Sequence, residues 1–252
     1  MRDAAKTPQT PLLDALPDAV RQRLAHFEEM IRHDSRALNL TRITEPGAVR
    51  LRHFEDALSA LEILDDALPV APQIVDVGSG AGVPGLVLAI ARPHWRIVSV
   101  EATGKKTDFQ QRVVKTLELG NVEVLNDRAE VLGRDDSLRE NFDAALARAL
   151  ALLPELAELC LPLVKSGGLL LCWKSRDLGD EMEAGQRAVK ALGGRFNQAH
   201  QYTLTKFAAE DPRMFQLINI LKETPTGERY PRRYNAISKR PLGREKKENQ
   251  HD

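Results

Sequence analysis

From residue 73 to residue 175 the chain alternates, almost without interruption, between short apolar runs and longer helical patterns. "QIVDVGS" is followed by "PGLVLAIARP", "RIVSVEA" by "KKTDFQQRVVKTLEL", and "NVEVLND" and "FDAALAR" by "LLPELAELCLPLV"; "GGLLLCWKS" then supplies a fifth strand. Strands of this length separated by crossover helices can pair in one sheet only as parallel neighbours with helices on both faces. A polar helix over about 177–192 comes next, and then the rhythm changes. "RFNQAHQYTLT" and "RMFQLINILK" have no helix between them, so they are expected to lie antiparallel. The fold expected is α/β, Rossmann-like: a mostly parallel seven-stranded sheet with an antiparallel last strand.

Residues 1–70 read as a helical extension. Leu24, Phe27, Met30 and Ile31 fall at helical spacing on one face, a buried stripe. A break at Thr44–Pro46 precedes a second helix expected over Val49–Leu64, and Pro69 and Pro72 close the region. The expected units are therefore 1–70, a central domain over 71–224, and a basic tail over 225–252. Between Arg229 and Lys247 the tail carries eight Lys/Arg and one Glu.

Overall charge excludes little, because 36 Lys+Arg balance 36 Asp+Glu; placement has to carry any argument about polyanions. Cys160 and Cys172 sit in apolar contexts with no CxxC partner, so packing thiols in a reducing compartment are expected, with no disulfide and no metal. No apolar run approaches the roughly 20 residues that span a bilayer. The opening "MRDAAKTPQTPLLDALP" lacks the apolar core of a secretory signal. A cytoplasmic protein, monomeric and without membrane contact, is the expectation.

The loop after the first strand runs Gly78-Ser79-Gly80-Ala81-Gly82-Val83-Pro84-Gly85. Glycines let the chain turn sharply and let backbone approach a ligand. Pro84 suits the first turn of the following helix. "GAGVPG" from Gly80 formally matches GxGxxG, but the dinucleotide motif places its first glycine at the strand end. That glycine is Gly78, and in its frame the sixth residue is Val83. Glu101 ends the second strand, 23 residues beyond Gly78, where a carboxylate can accept both hydroxyls of a ribose. "NDRAE", residues 126–130, ends the third strand, where backbone N–H groups and an acidic side chain can flank a base. Together these three strand ends point to a bound nucleoside.

The combination of "VDVGSGAGVPGLVLAI", "EATGKKTDF", "DRAE", "FDAALARA" and "GGLLLCWKS", with "LNLTRI", "HFEDAL" and a late "YPRR", resembles the small-subunit ribosomal RNA methyltransferase G family. This family, also known as glucose-inhibited division protein B, belongs to the class I S-adenosylmethionine-dependent methyltransferases. The resemblance covers about residues 35–242. It implies methyl transfer from S-adenosyl-L-methionine to N7 of the guanine at position 527 in the 530 loop of 16S rRNA, within the 30S subunit or its precursor. It also implies cofactor contacts at Gly78, Val83, Glu101, Ala102, Thr103, Ala129, Glu130 and Arg148, with Gly80 and Gly82 in the same loop. Two positions depart from the commoner family forms. Val83 stands where Phe or Leu is frequent, and the usual "DSL" after the histidine reads Asp56-Ala57-Leu58.

Guanine N7 carries an in-plane lone pair and no proton, so alignment of nucleophile, carbon and sulfur is the main requirement. No general base is evident. The "NPPY"-like stretch of exocyclic-amine methylases is absent after strand four, and neither cysteine is placed as a nucleophile. Arg148, closing strand four, is the expected catalytic residue, touching the cofactor or the O6 edge of guanine; an ion pair with Glu101, Glu130 or Asp143 is the plainer possibility. For RNA, phosphate contacts are expected from Arg229, Arg232, Arg233, Lys239, Arg240, Arg244, Lys246 and Lys247, with stacking by the rings of "YPRRY"; beyond Leu242 a solvated charged end is the alternative. Arg32, Arg36, Arg42, Arg50 and Arg52 form a second basic stretch. His53 is expected in packing or capping, with a substrate-side role as the alternative, and Lys174 faces either the cleft or solvent.

Overall fold

The computed structural model describes residues 12–43, 45, 47–175, 178–202 and 215–243. Thr44, Pro46, Arg244, Lys246 and Lys247, together with 203–205, 213 and 214 of the last two expected strand segments, lie outside these residues. Seven strands form one sheet in the order β3-β2-β1-β4-β5-β7-β6. They are β1 (Gln73–Val77), β2 (Arg96–Val100), β3 (Val122–Leu125), β4 (Phe142–Arg148), β5 (Val164–Ser175), β6 (Gly194–Tyr202) and β7 (Phe215–Lys222). The neighbours from β3 through β5 pair in parallel, and β7 runs antiparallel to both β5 and β6. This is the expected topology, with β7 as the antiparallel strand.

Side chains alternate across the pleat and divide the interior into two layers. Ile74, Ile97, Ala144, Leu146, Leu169 and Leu171 meet α4 (Gly85–Ala91), α5 (Gly104–Thr116) and the N-terminal helices. Val75, Val77, Val98, Val100, Ala145, Leu170 and Cys172 meet α6 (Ala129–Leu132), α7 (Leu153–Cys160) and α8 (Asp180–Ala191). The first helix, α1 (Asp18–Leu38), buries Leu24, Phe27 and Ile31 as the stripe predicts. Phe27 stacks on Phe54 with ring centroids 5.4 Å apart. Each such buried side chain contributes roughly 1.5–3 kcal/mol.

Two expectations change. The helix expected over Val49–Leu64 is instead a π-helical turn (Arg50–Glu55), a short α2 (Asp56–Leu58) and α3 (Leu61–Ala67). Strand β5 begins at Val164, before the two glycines expected to announce it. Its pairing with β4 shifts register between Phe142 and Ala144, where a Cβ on Gly168 would lie 2.5 Å from the Asp143 carbonyl oxygen.

The segment after β7 folds back onto the β4–β5–β7 layer. Tyr230 and Ile237, the latter on α9 (Tyr234–Lys239), are buried in the second layer. Lys222 is fully buried, its Nζ 2.7 Å from the Leu161 carbonyl and 3.1 Å from Glu140. Arg232 donates from its backbone N–H and guanidinium to the buried carboxylate of Glu158.

Candidate functional site

The carboxyl ends of β1, β2 and β4 converge where ligands bind in open α/β sheets. Chain direction reverses between β1 and α4 through Gly78, Gly80 and Gly82, all at positive φ (71°, 59° and 85°). Gly78 is packed from the β4–α7 connection: a Cβ there would lie 2.5 Å from Leu150 Cδ1. Gly80 differs, because a Cβ built on it meets nothing within 4 Å. Its backbone faces open space at the strand ends, the approach a ligand needs.

The tip of β2 is tied to this loop. Glu101 accepts the Gly80 N–H at 3.0 Å with one carboxylate oxygen and the Thr103 N–H at 2.8 Å with the other. Each carboxylate oxygen keeps a further lone pair, so both remain able to accept from a vicinal diol. The Gly78 and Ser79 N–H groups donate to the Val100 carbonyl at 2.8 and 3.1 Å. Gln110 on α5 donates to Ser79 Oγ and to the Gly80 carbonyl, and accepts from Ser99 Oγ. No sequence pattern singles out Gln110; only the fold brings it beneath the turn. Ala102 and Thr103 are exposed at the rim, while Val83, Ala129 and Glu130 are largely buried. Glu130 pairs with Arg128, whose guanidinium lies 4.4 Å from the centroid of the Tyr234 ring. A hollow lined by Glu130, Val131, Arg134, Arg233 and Tyr234 opens on that flank. It shares only Glu130 with the expected cofactor contacts.

Asp76 lies under the loop. Its Oδ2 accepts the Gly85 N–H at 2.8 Å, and its Oδ1 is buried without a partner among the described residues. Burial pushes its pKa up to about 7. Such a group binds its proton more tightly folded than unfolded. Its stabilising contribution is therefore complete below about pH 4 and is lost as pH rises through about 7. Asp76→Asn should accordingly flatten the fall in thermal stability between pH 5 and pH 8 in ligand-free protein. An unchanged slope in calorimetry would show that Asp76 does not titrate in this range.

At the tip of β4, Arg148 is partly buried, its side chain 18% exposed. It does not pair with Glu101, Glu130 or Asp143. Its Nε sits 2.8 Å from Asp56 Oδ2, and one Nη sits 2.8 Å from the Arg52 carbonyl and 2.9 Å from His53 Nδ1. The π-helical turn, a geometry frequent at functional sites, is what presents the Arg52 carbonyl and the His53 ring. His53 Nε2 lies 2.9 Å from Thr41 Oγ1, so both ring nitrogens are engaged. Burial and the adjacent Arg148 lower the His53 pKa to about 4. The ring is neutral near pH 7 and a weak base. Lys174 faces neither cleft nor solvent: it is held by the Ala151 carbonyl and Glu181 behind the β4–α7 connection. Both thiols are fully buried, with burial raising Cys160 well above its usual range and Cys172 to about 12. Neither is a nucleophile at neutral pH.

The basic residues divide. Arg233, Lys239 and Arg240 are exposed, and Arg229 lies over the Tyr230 ring. Arg232 and Tyr230 are corrections to the expected RNA contacts, since both are spent on the interior. Arg50 pairs with Glu28, while Arg36 and Arg42 are exposed.

Comparison with known proteins follows the same lines. The family described as "GidB: rRNA small subunit methyltransferase G" matches residues 20–208. The protein of Leuconostoc mesenteroides subsp. mesenteroides named "Ribosomal RNA small subunit methyltransferase G" is 39% identical over 223 residues, 88% of this chain and 91% of its own. A protein of the same name from Bacillus subtilis (strain 168) is 36% identical over 88% of this chain and 91% of its own. Among solved structures, a Galdieria sulphuraria protein described as a sarcosine dimethylglycine methyltransferase aligns with a TM-score of 0.52 at 12% identity. The alignment covers 69% of this chain and 86% of that one and extends to the fold alone. No helix among the described residues is long and apolar enough to cross a membrane.

Proposed function

The chain belongs to the rRNA small subunit methyltransferase G family, and from that premise we propose that it methylates N7 of the guanine at position 527 in the 530 loop of 16S rRNA. It is an S-adenosylmethionine-dependent methyltransferase acting on ribosomal RNA. The cofactor supplies a methyl group already activated on a sulfonium. The residues that hold it in this reading are the Gly78–Val83 loop, Glu101 with Ala102 and Thr103, and Ala129 with Glu130; Arg148 touches the reacting pair. Glu101 supports the assignment by being fixed to the Gly80 N–H while keeping lone pairs for ribose hydroxyls. Residues 71–224 form the cofactor-binding part, and the 1–70 extension walls the substrate side through Arg52, His53 and Asp56.

The observation that carries ring-nitrogen methylation is the state of the acids and bases around β4. Asp56 is engaged by Arg148, Glu101 by two backbone N–H groups, and His53 at both ring nitrogens. A nucleophile that must lose a proton would find no available base among these groups. Guanine N7 loses none, and a guanidinium beside it can donate to O6. The acceptor is the 30S subunit or its precursor, and the enzyme works as a cytoplasmic monomer.

The test is incubation of the purified protein with labelled S-adenosylmethionine and 30S particles, free 16S rRNA, or neither. Nuclease digestion and mass spectrometry should then find 7-methylguanosine at position 527. Label at another position or on an exocyclic nitrogen refutes the N7 assignment. Tight cofactor binding with no transfer to any RNA would make the protein a cofactor-dependent assembly factor.

A further inference from the structure

We infer that Asp56, with Tyr202 behind it, is a positioning residue that fixes the plane of the Arg148 guanidinium for methyl transfer. The inference rests on the proposed place of Arg148 beside the reacting atoms.

Three elements distant in sequence meet at this carboxylate. Asp56 Oδ2 holds Arg148 Nε at 2.8 Å, and Oδ1 accepts from the Tyr202 hydroxyl at the end of β6. The Asp56 backbone is itself anchored, since its carbonyl accepts the Trp173 indole N–H at 2.8 Å and the Ser59 hydroxyl at 2.7 Å. Tyr202 in turn stacks on Phe215 of β7, with centroids 5.8 Å apart. The carboxylate therefore has little freedom to follow a moving arginine. On the other side, Arg148 is held by the Arg52 carbonyl and by the ring of His53. Its second terminal nitrogen, Nη1, has no partner among the described residues and keeps two donors for a ligand.

Burying a carboxylate raises its pKa, and here burial is the largest influence on Asp56, opposed by Arg148 and by the Tyr202 hydroxyl. A site built only for packing would be cheaper with apolar residues of similar volume. An ion pair at the strand tip, oriented through both carboxylate oxygens, is what directional presentation of a planar donor requires. The chemistry asks for orientation: a misplacement of about 1 Å costs on the order of 100-fold in rate.

The experiment compares Asp56→Asn, Tyr202→Phe, Arg148→Ala and the double variant Asp56→Asn/Arg148→Ala in the full chain. Single-turnover methyl transfer to 30S particles is measured beside cofactor affinity by calorimetry and thermal unfolding. Asp56→Asn should slow transfer by roughly 30- to 100-fold, and Tyr202→Phe by about 3- to 10-fold. Cofactor affinity should change less than about three-fold, because Asp56 acts on orientation. In the Arg148→Ala background, adding Asp56→Asn should change transfer by less than about two-fold, the signature of residues acting as one unit. Transfer by Asp56→Asn within two-fold of the unsubstituted protein, while Arg148→Ala is slowed by about 100-fold or more, would overturn the positioning role and leave the function intact. An equal loss from Asp56→Asn in both backgrounds would also overturn it, showing that Asp56 acts through the fold. Full activity of Arg148→Ala would instead remove Arg148 from the site.

Discussion

Arg148→Ala should slow methyl transfer by about 10²–10³-fold and also lower stability in a pH-dependent way. On the kinetic side, loss of an interaction made with the reacting pair costs about 10²–10³-fold, before any disturbance of the wall formed by Arg52 and His53. On the structural side, the deletion leaves Asp56 as a buried carboxylate with the Tyr202 hydroxyl as its one remaining partner among the described residues. Removing one partner of a fully buried ion pair costs about 3–5 kcal/mol. Arg148 is 18% exposed, so a discounted value of about 2 kcal/mol is appropriate, or roughly 4–8 °C in melting temperature. The sign with pH follows from Asp56. Its pKa is already raised by burial and is held down chiefly by Arg148; without the arginine it rises further. A carboxyl whose folded pKa is raised keeps its contribution at low pH and loses it as pH increases. The variant should therefore be closest to the unsubstituted protein near pH 5 and furthest below it near pH 8. Thermal unfolding at both values checks this. An equal deficit at the two would mean that Asp56 and Arg148 are not coupled.

The fold was legible in the sequence because strand–helix alternation is a local pattern with one cheap tertiary solution. The seven strand segments, the antiparallel last strand and the α1 stripe all follow from periodicities of two and 3.6. The glycine loop and Glu101 were legible for a related reason, lying at strand ends that the topology forces together. Asp56, Tyr202 and Gln110 were not. Each sits in a segment whose local pattern is complete without it, and each gains its role from a partner between 11 and 146 positions away. The interrupted helix at 49–64 was missed for a physical cause as well. The apolar periodicity there satisfies an α-helix, but Arg52 and His53 reach Arg148 from a π-helical turn, and Asp56 does so from the first residue of α2. Charge counting misled in the C-terminal segment at Arg232, which is committed to the buried Glu158.

That segment gives the second large effect. Truncation after Leu221 should leave a chain that does not fold cooperatively, rather than a folded enzyme with weakened RNA contact. The deletion removes Tyr230 and Ile237 from the second layer, each worth roughly 1.5–3 kcal/mol of burial. It strips the fully buried Glu158 of Arg232, which supplies all three of its hydrogen bonds among the described residues. An unpaired buried carboxylate adds about 3–5 kcal/mol. Arg139, which donates to the Tyr230 and Thr226 carbonyls, loses those partners too. The combined loss is comparable with the whole stability of an ordinary domain, about 5–15 kcal/mol. Truncation after Gly243 removes none of these contacts. The residues it deletes, 244–252, carry three positive and three negative charges. Because it keeps those contacts, that shorter truncation should still unfold cooperatively, within about 2 °C of the full chain. Circular dichroism of both truncations decides the matter: a cooperative, unshifted transition after removal of 222–252 would mean that the segment rests on the sheet without holding it.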